Sequence, residues 1–203
     1  MFQGAKRISV PKKTRMSDNE NPIAKSPEEQ FWFAMSATFG RGLKAKTFLE
    51  DKSVECFVPM KYEIVNDRKE GKVRKLIPAI SNLIFVHTTK KRIQSLKALT
   101  PYLQYLTKPV GERNVPITVP EKQMLQFIKV CDTYDDKLLY LAPHEIRLEE
   151  GTPVRIVGSM FDGVEGTFLK VDGSRKKRVV VLLQDVTAVV LAEFTDGYLQ
   201  VLK

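Results

Sequence analysis

Residues 151–203 hold five short apolar runs, each closed by a turn signal. Thr152-Pro-Val-Arg-Ile-Val157 alternates, and Thr167–Val171, Arg178–Gln184, Thr187–Phe194 and Tyr198–Leu202 follow it. Val179, Val180, Val181, Val186, Val189 and Val190 add β-branched side chains, which suit strands better than helices. Gly158, Gly163 and Gly166 punctuate one connection, and Asp172-Gly173 is a hairpin turn signal. Five strands in so short a stretch predict a small five-stranded β-barrel.

Charge divides the rest of the 203-residue chain, whose net charge is +9. Residues 31–131 carry 18 Lys and Arg against 8 Asp and Glu, so one block holds the basic character. Residues 132–150 are acidic, with Asp135, Asp136, Glu149 and Glu150, and Pro143 stops any helix there. They read as a linker. Residues 1–30 combine Pro11, Pro22 and Pro27 with polar runs and few large apolar groups, and are expected to form a disordered basic tail. No apolar segment follows their charges, so they are no secretory signal. The basic excess suggests a polyanionic partner.

Residues 31–131 read as a mixed α/β unit. Phe31-Trp-Phe-Ala-Met35 is an aromatic strand, broken by Gly40 and Gly42. Leu43–Lys52 follows with Ala45, Phe48 and Leu49 at helical spacing. Val54–Val65 is extended, bent at Pro59, and Asn66–Lys75 is a charged hairpin tip around Gly71. Ile77–His87 returns as a strand, Lys91–Leu99 as a helix and Tyr102–Leu106 as a strand. Pro120 opens a last helix with Met124, Phe127, Ile128 and Cys131 on one face. The order predicts an α+β fold: an antiparallel sheet with helices packed on one face, then the barrel.

Composition disfavours catalysis. Cys56 and Cys131 lie in no CxxC, and His87 and His144 are the only histidines. Neither cysteine has a histidine close in sequence, so a thiol nucleophile needs a partner brought in by the fold. Neither a metal site nor a cofactor motif is present. No apolar run reaches the roughly 20 residues of a membrane span, and the chain reads as a cytoplasmic binding protein.

The block order and several motifs resemble the NusG family of transcription elongation factors. Gly151-x-x-Val-Arg-Ile-Val and Phe161-Asp-Gly-Val-Glu-Gly166 are similar to a KOW motif. Trp32-Phe33 with the Gly40 turn and basic helix, and Pro78-Ala-Ile-Ser-Asn-Leu-Ile-Phe-Val86, are similar to the family's NGN domain. Cys56-Phe-Val-Pro-Met60 resembles the specialised paralogue RfaH, and the closest subgroup is the UpxY-type antiterminators of capsular polysaccharide operons. Ser81 and Leu83 depart from the family pattern, which often has Pro and Tyr there.

The resemblance implies a non-enzymatic monomer that docks on the clamp of bacterial RNA polymerase and suppresses pausing or termination. It assigns Ser36, Ile80, Leu83 and Phe85 to the clamp-facing patch, and Gln94 and Ser95 to the opposite pincer. If helices cover the Ile84 side of the strand, Leu83 and Phe85 are left free for a partner; otherwise both faces are core. Thr38, Arg41, Lys44 and Lys46 match the region that meets non-template DNA, and a solvated face is the plainer reading. The tip cations Arg68, Lys69, Lys72, Arg74 and Lys75 are candidates for DNA or polymerase, or simply surface charge. Phe161, Arg175 and Lys176 are the KOW candidates for ribosomal protein, Rho or nascent RNA, although Phe161 equally suits a barrel plug. The valine-rich strands argue against a refolding of this block into helices. The rival reading is a KOW-containing RNA-binding or ribosome-associated protein without polymerase contact.

Overall fold

Two apolar strands set the architecture. β1 (Gln30–Ala37) and β5 (Leu83–Thr89) pair antiparallel from Gln30↔Thr89 to Ser36↔Leu83. Each carries an unbroken apolar run, Phe31–Met35 and Leu83–Val86, so both faces of their sheet need cover. A computed structural model of the chain describes residues 28–134, 138–141, 151–170, 177–183, 186–191 and 198–202. The basic tail expected over residues 1–30 lies almost wholly outside them, as does most of the linker.

β2 (Glu55–Phe57) flanks β5, while β6 (Leu103–Tyr105) and β9 (Thr118–Val119) flank β1. On one face Phe33, Met35, Ile84 and Val86 meet Ala45 and Leu49 of α1 (Gly42–Asp51) and Ile93 and Leu96 of α2 (Lys90–Leu99). On the other, Trp32, Ala34, Leu83 and Phe85 meet Met124, Phe127, Val130 and Cys131 of α3 (Glu121–Cys131). Helices therefore cover both faces, not one, because alternation along the apolar runs Phe31–Met35 and Leu83–Val86 leaves apolar side chains on each side.

Val54–Val65 divides at Pro59 into β2 and β3 (Met60–Asp67), and β3 pairs with β4 (Gly71–Pro78) as a separate two-stranded ribbon. A second ribbon, β7 (Thr107–Val110) with β8 (Arg113–Pro116), precedes α3. Thr89 caps α2, its Oγ1 accepting the Arg92 N–H at 3.2 Å. α3 begins after Pro120, with Glu121 in its first turn and Lys129 in its last, both matched to the helix dipole.

The C-terminal strands are β11 (Thr152–Val157), β12 (Glu165–Lys170), β13 (Lys177–Leu183), β14 (Thr187–Leu191) and β15 (Tyr198–Val201). A sixth strand, β10 (Leu139–Leu141), comes from the acidic stretch and pairs with β14. The antiparallel order is β10-β14-β13-β12-β11-β15, and among the described residues no ladder closes β15 onto β10. Val154, Ile156, Val179, Val181 and Leu183 of this sheet, with Phe161 and Val164 of the β11–β12 connection, belong to the same buried cluster as α3 and the Leu83 face of β5. Two sheets thus share one apolar core with α3 between them.

Candidate functional site

Ser36 and Leu83 are register partners on β1 and β5, and with Ile80 they line one cavity of about 110 Å³. Leu106 adjoins from the N-terminal unit, and Val186 from the turn before β14. Leu83 is 5% exposed and Phe85 fully buried, its ring 5.8 Å from that of Phe127. The expectation of a free Leu83–Phe85 face is not met: helices α1 and α2 do cover the Ile84 side, but α3 and the C-terminal sheet occupy the other. Gln94 and Ser95 are exposed on α2, away from that face, and Ser95 Oγ donates to the Lys91 carbonyl at 3.3 Å.

The seam between the sheets carries polar contacts as well. Lys122 of α3 pairs with Glu165 of β12, and Lys129 donates from Nζ to the Asp162 carbonyl. Tyr140 donates its hydroxyl to the Met60 carbonyl at 3.4 Å. Phe161 is 3% exposed, tucked into the shared core, with its N–H donating to Ser159 Oγ at 3.1 Å. It takes the plug position rather than a surface one. Arg175 and Lys176 lie outside the described residues.

A second cluster forms around the turn after β1. Phe39 stands at φ +60 and Asn82 at φ +65, both in the left-handed region that residues with a Cβ rarely adopt. They are pinned together: Asn82 Oδ1 accepts the Gly40 N–H at 2.7 Å, and the Asn82 carbonyl accepts the Ala37 N–H at 2.7 Å. Backbone strain of this kind collects at working surfaces. The turn holds the Phe39 ring 85% exposed. The Arg41 guanidinium lies 5.4 Å from that ring and 5.2 Å from the Tyr102 ring, and Lys44 Nζ lies 5.8 Å from Tyr102. Thr38 joins them through its N–H to the Tyr102 carbonyl at 2.9 Å.

Thr38, Arg41 and Lys44 are therefore brought together, whereas Lys46 turns away towards Glu50, 3.8 Å distant. Arg41 is the N-cap of α1 without a capping side chain, and no acid occupies the first turn. Positive charge at a positive helix end is unfavourable unless an anion joins it. Phe39 and Tyr102 are the members that sequence reasoning missed. The signal was a large aromatic beside Gly40, where an exposed turn and a core position look alike.

Among the described residues, which leave out His144, no imidazole joins either thiol. Cys56 pairs with Val86 on β5, so alternation sends His87 to the opposite face. His87 instead stacks on Trp32, centroids 4.8 Å apart, with Nδ1 2.7 Å from Glu55 Oε2. Burial, then the Glu50 charge, pushes the Cys56 thiol up to about 11, and burial pushes Cys131 up to about 12. Both are held as neutral thiols, poor nucleophiles at ordinary pH. Among the described residues, no cluster of three or more His, Cys, Asp or Glu could hold a metal ion, and no helix is long and apolar enough to cross a membrane.

Residues 30–128, which span β1 through most of α3, match the family profile described as "Transcription termination factor nusG". This N-terminal unit is similar to the NusG family. Among solved structures, that described as "Domain interaction in Thermotoga maritima NusG" is similar at 16% identity. The match covers 80% of this chain and 93% of that NusG, with a TM-score of 0.41. No curated protein matches the chain. The stretch with the NusG match contains the Ser36–Ile80–Leu83 cavity wall, the Phe39–Arg41–Tyr102 cluster and the β3–β4 ribbon.

Proposed function

We infer that the chain is a transcription elongation and antitermination factor that binds RNA polymerase through its N-terminal sheet and suppresses pausing or termination. The observation that carries this reading is the family match over residues 30–128, the stretch that also holds the apolar Leu83 face. Residues 31–131 form the polymerase-binding NGN unit, residues 132–150 the connection, and residues 151–203 a KOW unit. The clamp takes Ser36, Ile80, Leu83 and Phe85, and the opposite pincer takes Gln94 and Ser95. The chain is of the specialised RfaH or UpxY type, acting at particular operons.

No covalent step is needed. A factor that binds the closed clamp better than the open one shifts the population towards the elongating form. In this chain the C-terminal sheet and α3 compete for the same apolar face, because Val186 closes the cavity beside Ile80 and Leu83. Polymerase binding thus requires that contact to open, and its strength sets the fraction of competent molecules. Thr38, Arg41 and Lys44 supply cations for exposed non-template DNA, with phosphate contact their main role. The KOW unit is left to meet ribosomal protein, Rho or RNA once displaced.

The test is retention on bacterial core RNA polymerase, alone and in a transcribing complex, at low salt. The intact chain is expected to bind. Ile80→Asp, at the half-buried rim of the patch, is expected to lose binding while keeping its circular dichroism spectrum. Lys122→Glu with Lys129→Glu, which loosens the seam, is expected to bind more tightly. No retention of any form would overturn the reading and favour an RNA-binding protein without polymerase contact.

A further inference from the structure

The backbone and the side chain of Tyr140 belong to different parts of the molecule. Its backbone pairs with Val189 in the short ladder that adds β10 to β14. Its side chain leaves that sheet. The hydroxyl donates to the Met60 carbonyl at 3.4 Å, at the start of β3, and it is also hydrogen-bonded to the Cys131 thiol at the end of α3. One hydroxyl serves both, donating to the carbonyl while its oxygen accepts from the neutral thiol. The ring packs half-buried on the core that α3 shares with the C-terminal sheet. Tyr140 thus joins the C-terminal sheet, α3 and the β3–β4 ribbon.

The ribbon needs such a brace. Like β7–β8, it shares no ladder with either sheet, and a two-stranded ribbon is marginal in water by itself. At its root the Ala79 N–H donates to the Pro59 carbonyl at 2.8 Å. Hydrogen-bonded and non-bonded pairs alternate along an antiparallel ladder, so the next pair, Met60↔Pro78, is non-bonded. The polar backbone groups of that pair point out of the ribbon. Pro78 has no N–H to leave there, and the Met60 carbonyl takes the Tyr140 hydroxyl. Two residues further on, the Tyr62 ring meets the Tyr134 ring edge to face, centroids 6.3 Å apart. Tyr134 follows α3 directly, and its N–H donates back to the Cys131 carbonyl at 3.1 Å. Both tyrosines that brace the ribbon therefore come from the segment after α3 rather than from the sheet of β1 and β5.

We propose that Tyr140 is a latch: with the C-terminal sheet seated on α3 it holds the β3–β4 ribbon at one angle, and departure of that sheet carries Tyr140 off Met60 and frees the ribbon to turn at Pro59 and Pro78. β10 follows β14 because a backbone ladder holds it there, whereas the ribbon keeps it through one long hydroxyl bond. The coupling is reciprocal: what opens the seam loosens the ribbon, and what fixes the ribbon favours the closed seam. Tyr140 acts as a positioning residue, through the Met60 backbone. The latch rests on the reading that the C-terminal sheet parts from α3. It requires no polymerase, so it fails separately from polymerase binding.

The experiment is hydrogen exchange of the full chain alone, read by mass spectrometry on peptides from the ribbon, residues 60–78, and from β1 and β5 as controls. Tyr140→Phe keeps the ring and is expected to speed exchange at the ribbon root about twofold to threefold, the low end for one hydrogen bond. Tyr140→Ala removes the ring contact as well and is expected to speed it at least about fivefold. The β1 and β5 peptides should keep their wild-type rates in both. Lys122→Glu with Lys129→Glu, which loosens the seam, should speed the same ribbon peptides, and adding Tyr140→Ala to it should change little, because the latch is already released. Wild-type ribbon exchange in both Tyr140 variants would overturn the proposal. So would fully additive effects of Tyr140→Ala and the seam variant, or a seam variant that speeds alkylation of Cys131 yet leaves the ribbon at its wild-type rate. Should Tyr140→Ala loosen β1 and β5 as well, Tyr140→Phe decides: faster exchange confined to the ribbon supports the latch, and equal acceleration of ribbon and controls overturns it.

Discussion

Lys122 Nζ lies 2.8 Å from Glu165 Oε2, which places one ion pair across the seam between α3 and the C-terminal sheet. The other oxygen of the same carboxylate, Oε1, is 2.7 Å from Nη2 of Arg155 on β11. Glu165 therefore belongs to both bodies at once. The Lys122 hydrogen bond, and after it the Arg155 bond, holds its carboxyl below the usual range. A carboxylate with a lowered pKa in the folded state contributes stability above its unfolded value, near pH 4.3. That contribution is lost as pH falls from there through the folded value.

Removing the charge at Glu165 should loosen the seam at neutral pH. Lys122 and Glu165 are partly solvated, so each pair is worth no more than about 1 kcal/mol. Glu165→Gln is expected to lower the thermal midpoint by about 2–4 °C for a chain of this size. It should also flatten part of the stability loss below about pH 4.5, where the wild-type carboxylate takes up its proton. Melting curves from pH 3 to pH 7 check this. A variant with the wild-type midpoint and acid profile would show that the pair does not help hold the seam.

The strands and helices that carry regular periods were legible in the sequence. β1, α1, α2 and the five strands from β11 to β15 fall within a few residues of their expected places. The β7–β8 ribbon was hidden by Pro109, Pro116 and Gly111, which read as loop punctuation although they occupy an isolated two-stranded edge. β10 was hidden by the acids around it. The site was less legible than the fold. Spacing put Leu83 and Phe85 on one face but could not say that Val186 and α3 would lie over that face, since packing between sheets is set by shape. For the same reason Lys46 was grouped with Arg41 and Lys44, though a helix turns it to Glu50.

Asn82 is expected to govern the Phe39 turn. Asn82→Ala removes the acceptor for the Gly40 N–H and places a Cβ-bearing residue without a local polar side chain at φ +65. The combined loss is about 1–3 kcal/mol. Asn82→Gly also removes the bond but suits the left-handed backbone, so its loss should be smaller. Phe39→Ala touches only an exposed ring and should change stability by no more than about 0.5 kcal/mol. Urea unfolding of the three variants orders these values; a Phe39→Ala loss as large as that of Asn82→Ala would count against an exposed ring.

Gly166 is fixed by close approach. A Cβ there would meet the Val180 carbonyl oxygen at 2.6 Å and Val179 Cγ1 at 2.9 Å, both in β13. Backbone cannot yield as a flexible side chain can. Gly166→Ala is therefore expected to destabilise the C-terminal sheet by about 1–3 kcal/mol, the range for overpacking. Gly111→Ala, with open space around its Cβ but a φ of +59, should lose only about 1 kcal/mol. Comparing their thermal midpoints separates crowding from backbone strain, and equal shifts would contradict the crowding argument.

Cys131 offers a direct reading of whether the two sheets part. Its side chain is buried between α3 and the C-terminal sheet, and burial holds its thiol near a pKa of about 12. Cys56 is half-buried on the far face of the N-terminal sheet, beside Val86, and does not border the seam. In the intact chain at pH 8, alkylation of Cys131 is expected to be slow and to occur through opening of the seam. Lys122→Glu with Lys129→Glu should accelerate labelling of Cys131 while leaving Cys56 unchanged. Mass spectrometry of timed quenches assigns each thiol. If both thiols accelerate together, the seam variant has loosened the whole N-terminal unit; if neither does, the C-terminal sheet is not held by α3 through these lysines.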